Sequence, residues 1–172
     1  MQFELEHAIE ILGQTPSALR AMLGNLSEEW THGGSREDWS PYDIVGHLIN
    51  AEHTNWIPRA KVILAQAENA AFEPFDRYVQ FEISKDKTLH ELLEDFESAR
   101  SESLMRLEAL EITPEKLALR AAHPDLGEVN LAQLLSTWAV HDLGHIRQIV
   151  TFMAKKYSDS VGPWKQYLSI LK

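Results

Sequence analysis

The sequence predicts an all-α protein, a four-helix bundle with a kinked first helix and a short extra helix at its C-terminal end. Three observations predict it. Apolar residues recur at helical spacing over four principal stretches. Three helix-start signatures, at Ser40-Pro41, Thr88-x-x-Glu91 and Asn130-x-x-Gln133, stand in front of apolar runs. Nothing in the chain reads as strand-rich. Helices that each carry one apolar face bury it most economically against one another. With 172 residues and neither internal repeat nor linker, residues 1–172 read as one domain.

The elements follow in order. Leu5, Ala8, Ile9 and Leu12, then Leu19, Met22, Leu23 and Leu26, keep the i, i+3, i+4, i+7 spacing of a half-buried helix. Gly13 and Thr15-Pro16 lie between the two sets, and an interior proline removes a hydrogen bond, so two pieces or one kinked helix is expected. Residues 27–39, with Gly33-Gly34, read as a loop. Ser40 as N-cap, Pro41 at the first helical position and Asp43 three residues after the cap open the next helix, and Pro58 marks its end or a kink. A less regular stretch runs from about residue 70 to 87. The Thr88-x-x-Glu91 box then starts a long helix with Leu92, Leu93, Phe96, Ala99, Ser103, Leu107 and Leu110 on one face. Thr113-Pro114-Glu115 opens a single turn of helix. His123-Pro124-Asp125-Leu126-Gly127 is turn chemistry between two short extended segments. The last long helix is predicted from about Leu131 to Tyr157, and Gly162-Pro163 begins a short terminal one through Trp164 and Tyr167.

Composition narrows the function. The chain has 16 Lys+Arg against 26 Asp+Glu, a net charge of −10, and its basic residues are scattered. Phosphate backbones and anionic membrane surfaces are therefore poor partners. No segment approaches the length of a membrane span and the start lacks a signal-peptide pattern, so a soluble cytoplasmic protein is expected. With no cysteine there is no disulfide, thiolate metal site or Cys nucleophile, which leaves metal chemistry to histidine and carboxylate.

Eight histidines are present. His141 and His145, at i and i+4, project within about 40° of each other and share a face with Leu134, Trp138, Ile149 and Phe152. Imidazoles on an apolar stripe need partners, at a cost of roughly 1–3 kcal/mol for each group left without one, and their own helix cannot supply them. His47 borders the inward face of its helix beside Ile44, Leu48 and Ala51. A His-x-x-x-His pair and a third His from another helix make the ligand count of a catalytic divalent-metal site with one position open. The alternative is a set of buried imidazoles bonded to carboxylate or backbone carbonyl. His141-Asp142-Leu143-Gly144-His145 is a poor zincin motif, because Asp retracts the base and no Glu or His follows His145. His7, His32, His53, His90 and His123 read as solvated or locally bonded rings. Glu52 and Arg100 fall on apolar faces, either snorkelling to solvent or forming a mutual ion pair. The five tryptophans read as packing and end anchors.

Three segments resemble the DinB/YfiT-like superfamily, and more narrowly its DinB-like metal-dependent hydrolase branch. They are Trp39-Ser40-Pro41-Tyr42-Asp43-Ile44-Val45-Gly46-His47-Leu48, Leu134 to Ile146 with its His-x-x-x-His, and Gly162-Pro163-Trp164. The resemblance implies a bundle of DinB/YfiT-like type holding a divalent metal, commonly zinc or nickel, on three histidines. Position by position these match His47, His141 and His145. Relatives implied by the resemblance include transferases and isomerases that use a low-molecular-weight thiol, and homodimers are common among them.

Two readings of function follow. In the first, a three-histidine metal with an exchangeable position activates water or a thiol on a small-molecule substrate, and any thiol must arrive with a cosubstrate because the chain has none. In the second, the bundle is non-catalytic, with a structural metal or none, and serves ligand binding or dimerisation. An open cleft over convergent imidazole nitrogens would count against the second. Asp142 and Glu52, near the ligands in sequence, are candidates for general base or for orienting the imidazoles.

Overall fold

The computed structural model describes residues 3–68 and 70–172. The helices are α1 (Leu5–Leu23), α2 (Glu28–Thr31), α3 (Pro41–Thr54), α4 (Trp56–Ala65), α5 (Gln80–Ser84), α6 (Leu89–Glu108), α7 (Pro114–Leu117) and α8 (Leu131–Lys155). Strands β1 (Arg120–His123) and β2 (Gly127–Asn130) form an antiparallel hairpin before α8. Two 3₁₀ turns, Gly162–Tyr167 and Ser169–Leu171, follow it. The fold is a four-helix bundle built on α1, α3 with α4, α6 and α8. In it α1 packs on α6 and α8, α3 on α6, and α4 on α8.

Each long helix begins where its cap dictates. Ser40, Thr88 and Asn130 each accept from the N–H three residues on, and Asp43, Glu91 and Gln133 return a side-chain oxygen to the cap N–H. Helix α1 is continuous through Pro16. Proline has no N–H, so the Leu12 carbonyl four residues back loses its helical donor. The Arg100 guanidinium of α6 takes that place, donating from Nη1 to Leu12 O at 2.7 Å in the core. An interior proline thus gives α1 a polar socket for its neighbour.

Among the described residues the core divides into two apolar clusters. One gathers Leu12, Ile57, Ala60, Leu107, Leu135 and Trp138, the other Leu19, Ile44, Leu48, Leu92, Phe96 and Ile149. Arg100 lies between them, its cation 5.0 Å from the Phe96 ring centre and 5.3 Å from that of Trp138. It donates to Glu52 (2.8 Å) and, through both terminal nitrogens, to Asp142 (2.7 and 3.1 Å). Trp138 Nε1 also donates to Glu52, at 3.0 Å. Of the alternatives for Glu52 and Arg100, the mutual ion pair is the one formed.

Several sequence boundaries need correction. The loop expected over 27–39 contains α2, a four-residue turn after Ser27. The second long helix breaks at Asn55, three residues before Pro58, because Pro58 cannot donate to the Thr54 carbonyl. It resumes at once as α4 and runs to Ala65. The less regular stretch includes α5 and a parallel bridge from Ala71 to Ala122 of the hairpin. Helix α8 ends at Lys155, two residues short of the expected Tyr157.

Candidate metal centre

The start of α3 at Pro41 puts His47 two turns in, buried and facing α8. The i, i+4 spacing on α8 brings His141 and His145 opposite it. His141 Nε2 lies 3.1 Å from His47 Nε2 and 3.1 Å from His145 Nε2, so three rings from two helices aim the same nitrogen at one point. Two ligand nitrogens at about 2.0–2.1 Å from a tetrahedral cation stand about 3.3 Å apart, and 3.1 Å is close to that separation. Hydrogen bonding alone serves this cluster poorly. His145 Nδ1 donates to Gln148 Oε1 at 3.0 Å, which leaves its Nε2 with a lone pair. His141 Nε2 then faces two neighbouring nitrogens and has one proton or one lone pair to offer. A cation that accepts all three lone pairs resolves the conflict.

The outer contacts are unequal. His47 Nδ1 is buried with no bond of normal geometry, and so are both amide atoms of Gln80, a fully buried residue of α5. The Gln80 amide is nevertheless near enough to favour the protonated His47 ring. Helix α5 reaches this depth because residue 46 is glycine: a Cβ there would stand 2.1 Å from Ser84 Oγ and 3.3 Å from the Gln80 carbonyl. Asp142, beside His141 in sequence, turns away into the Arg100 network. Its Oδ1 is 4.0 Å from His141 Nδ1, too long for a hydrogen bond.

Burial holds the His47 and His145 rings neutral. Loss of water, followed by repulsion from His145 and His141, lowers the His47 pKa to about 3. Loss of water and then His141 lower that of His145 to about 4, with Gln148 opposing. Neutral rings are the form that ligates metal. Burial works against ionisation of Asp142, but the nearby His141 ring and the bonds and charge of Arg100 outweigh it and hold the carboxyl below its usual range. At Glu52 burial prevails over Arg100 and pushes the carboxyl up.

A cleft of about 550 Å³ opens over His47 and His141. Trp39 and Phe75 flank His47, with ring centres at 4.9 and 5.6 Å, and Trp56 meets His141 edge-on at 5.1 Å. The far wall comes from the 70–79 segment and the β1–β2 hairpin, including Phe72, Arg77 and His123.

A sequence model of the DinB superfamily matches residues 11–149. The chain belongs to the DinB superfamily. This DinB-superfamily protein is also similar in fold to a solved structure, YfiT from Bacillus subtilis, described as a probable metal-dependent hydrolase with an unusual four-helix bundle topology. The two are 20% identical, with a TM-score of 0.73 over 88% of this chain and 87% of YfiT. No curated protein matches the chain.

Of the histidines singled out from the sequence of this DinB-superfamily chain, all three are brought together. His7, His53 and His90 are exposed. His32 bonds locally to Thr31 and stacks on Tyr42. His123 accepts from the Asp125 N–H, as a locally bonded ring should, yet it also lines the cleft. Trp39 and Trp56 are buried packing residues that double as cleft wall. Gln148, three residues after His145, was open to detection by spacing, since i and i+3 share a helical face. Gln80 carried no signal, because it arrives on a separate short helix.

Proposed function

We propose that this protein is a divalent-metal-dependent enzyme acting on a small molecule, either a hydrolase or a transferase that uses a low-molecular-weight thiol. The observation that carries the proposal is the convergence of His47, His141 and His145 Nε2 at the edge of an open cleft. In this reading the three histidines hold the metal, zinc or nickel. When bound, such an ion supplies Lewis acidity that lowers the pKa of water or a thiol toward neutrality.

The chain's own residues do the rest. Burial keeps His47 and His145 unprotonated at neutral pH. Gln148 fixes the tautomer of His145, and Gln80 sits where it can do the same for His47. Trp39, Trp56 and Phe75 pack beside the imidazoles and give the cleft apolar walls. Asp142 and Glu52 are committed to Arg100 and the bundle core, which makes them positioning groups rather than a general base. With no cysteine in the chain, a thiol would come from a cosubstrate.

The description of YfiT as a probable metal-dependent hydrolase supports the same reading. A closed structural centre is disfavoured, because His47 and His141 line the cleft instead of being sealed beneath it. We place the protein in the cytoplasm as a single-domain chain and a homodimer, with neither nucleic acid nor membrane as partner. Among the described residues no helix is long and apolar enough to cross a membrane. A screen of small electrophiles and esters, with and without low-molecular-weight thiols, on zinc- and nickel-loaded protein tests the proposal. Turnover that His141→Ala abolishes is expected. Turnover retained by that variant would contradict it.

A further inference from the structure

The cleft over the imidazoles has the opposite charge from the chain around it. Against a net charge of −10, its lining contributes two arginines, Arg59 and Arg77, and one carboxylate, Asp125. At physiological salt, exposed charges are screened beyond about 8 Å, so the local guanidiniums decide what the cleft attracts. Arg20, Arg100, Arg106 and Arg120 are each bridged to a carboxylate. Among the described residues neither Arg59 nor Arg77 is; the exposed Arg36 and Arg147 are not bridged either, but they lie outside the cleft lining.

Both are placed by the fold. Arg59 stands one helical turn beyond Trp56 on α4, with its cation 4.9 Å from the Phe72 ring centre and one Nη2 bond, 3.2 Å, to the Glu73 carbonyl. That leaves most of its five N–H donors free; partial burial lowers its pKa, with the Asp125 carboxylate of the same cleft opposing, close enough to act on its charge though not bridged to it. Arg77 lies 5.3 Å over the Tyr78 ring, with a single 3.3 Å contact to the Tyr78 hydroxyl. Asn50 Nδ2, one turn after His47, donates to the neighbouring Asp76 carbonyl at 2.9 Å and ties that segment to the site. The same cleft is lined by the aromatic rings of Phe72, Phe75 and Trp56.

We infer that the small molecule taken by this cleft is an organic anion: an aromatic or acyl body against Phe72, Phe75 and Trp56, with a carboxylate or phosphate end held by Arg59 and Arg77. The inference rests on reading the cleft as the substrate side of the three-histidine centre. Flat apolar groups suit the ring walls. Planar guanidiniums with free donors suit a carboxylate or phosphate, and each charge-assisted bond of this kind is worth about tenfold in affinity.

The test uses the full chain and two probes of equal size, 2-naphthoate and the neutral 2-naphthalenemethanol. Binding is measured by calorimetry on EDTA-treated and on zinc-loaded protein. Naphthoate is expected to bind at least about tenfold more tightly than the alcohol in both forms. Arg59→Gln and Arg77→Gln should each cost naphthoate about five- to tenfold, leave the alcohol unchanged and leave the thermal midpoint within a degree or so. Arg77→Lys should keep most of the preference. Equal binding of the two probes, indifference of naphthoate to both substitutions, or no binding of either up to millimolar concentration overturns the inference. The metal-free arm separates the two claims. Protein that takes up no zinc but still prefers naphthoate refutes the metal reading alone. Protein that takes up zinc and prefers naphthoate only then refutes the arginine assignment alone.

Discussion

Replacing Arg100 with methionine removes a fully buried cation from the bundle core while keeping much of its length. Three acceptors lose the guanidinium together: Asp142 at 2.7 and 3.1 Å, the Leu12 carbonyl at 2.7 Å, which Pro16 cannot serve, and Glu52 at 2.8 Å, which keeps only the Trp138 indole N–H. Both carboxylates are almost completely out of water, 0% exposed for Asp142 and 1% for Glu52. Removing one partner of a buried pair costs about 3–5 kcal/mol, because the other charge is stranded. That is a large share of the roughly 5–15 kcal/mol by which a domain is stable. At about 2–4 °C per kcal/mol for a chain of this size, the midpoint should fall by roughly 6–20 °C. Urea titration by circular dichroism measures the loss. A triple variant with Glu52→Gln and Asp142→Asn added to Arg100→Met should recover a good part of it, since neutral groups cost less to bury. A loss below about 1 kcal/mol for Arg100→Met alone, or no recovery in the triple variant, would refute the network as the organising element of the core.

Other predictions concern the imidazoles and their supports. Gln148→Leu removes the bond that fixes His145 and should weaken zinc affinity about 10- to 100-fold, read by competition with a chromophoric chelator; Gln80→Leu should act in the same direction through His47. In EDTA-treated protein, stability should fall as pH falls below about 6.5. The folded-state pKa values of His47 and His145, about 3 and about 4, lie below the ordinary histidine value, so the unfolded chain takes up protons first. Full stability is present above that ordinary value, and the loss reaches at most about 1.4 kcal/mol per pH unit for each ring. Urea midpoints at pH 7, 6 and 5 check it, and a His47→Gln, His145→Gln variant should show a flatter profile. Gly46→Ala should cost about 1–3 kcal/mol in the same titration, because its Cβ would overlap Ser84 Oγ and lift α5 from α3.

The helical bundle was legible because its determinants are local. The Ser40, Thr88 and Asn130 caps each act over three residues, and apolar spacing needs only one turn of helix to register. Pro16 and Pro58 were visible as interruptions, but what each does was not. Helix α1 runs through Pro16 because Arg100, far away in sequence, satisfies the carbonyl the proline orphans. Helix α3 stops short of Pro58 and α4 begins, because Pro58 cannot donate to the Thr54 carbonyl and, among the described residues, no side chain takes its place. The His141 and His145 pair followed from spacing, and His47 from the inward border of its helix. The cleft was not legible. Its walls come from Phe72, Phe75, Arg77 and His123, on segments whose positions depend on the Ala71–Ala122 bridge and the Asn50–Asp76 bond. The same holds for Gln80, whose depth is set by a missing Cβ on another helix.

The central claim is that His47, His141 and His145 together bind a divalent metal. Inductively coupled plasma mass spectrometry on protein purified without a His-tag measures it directly, with His141→Ala prepared alongside. We expect close to one divalent ion per chain in the native protein and little or none in the variant. Native protein without stoichiometric metal, or a His141→Ala protein with the same metal content and the same stability, would contradict the claim.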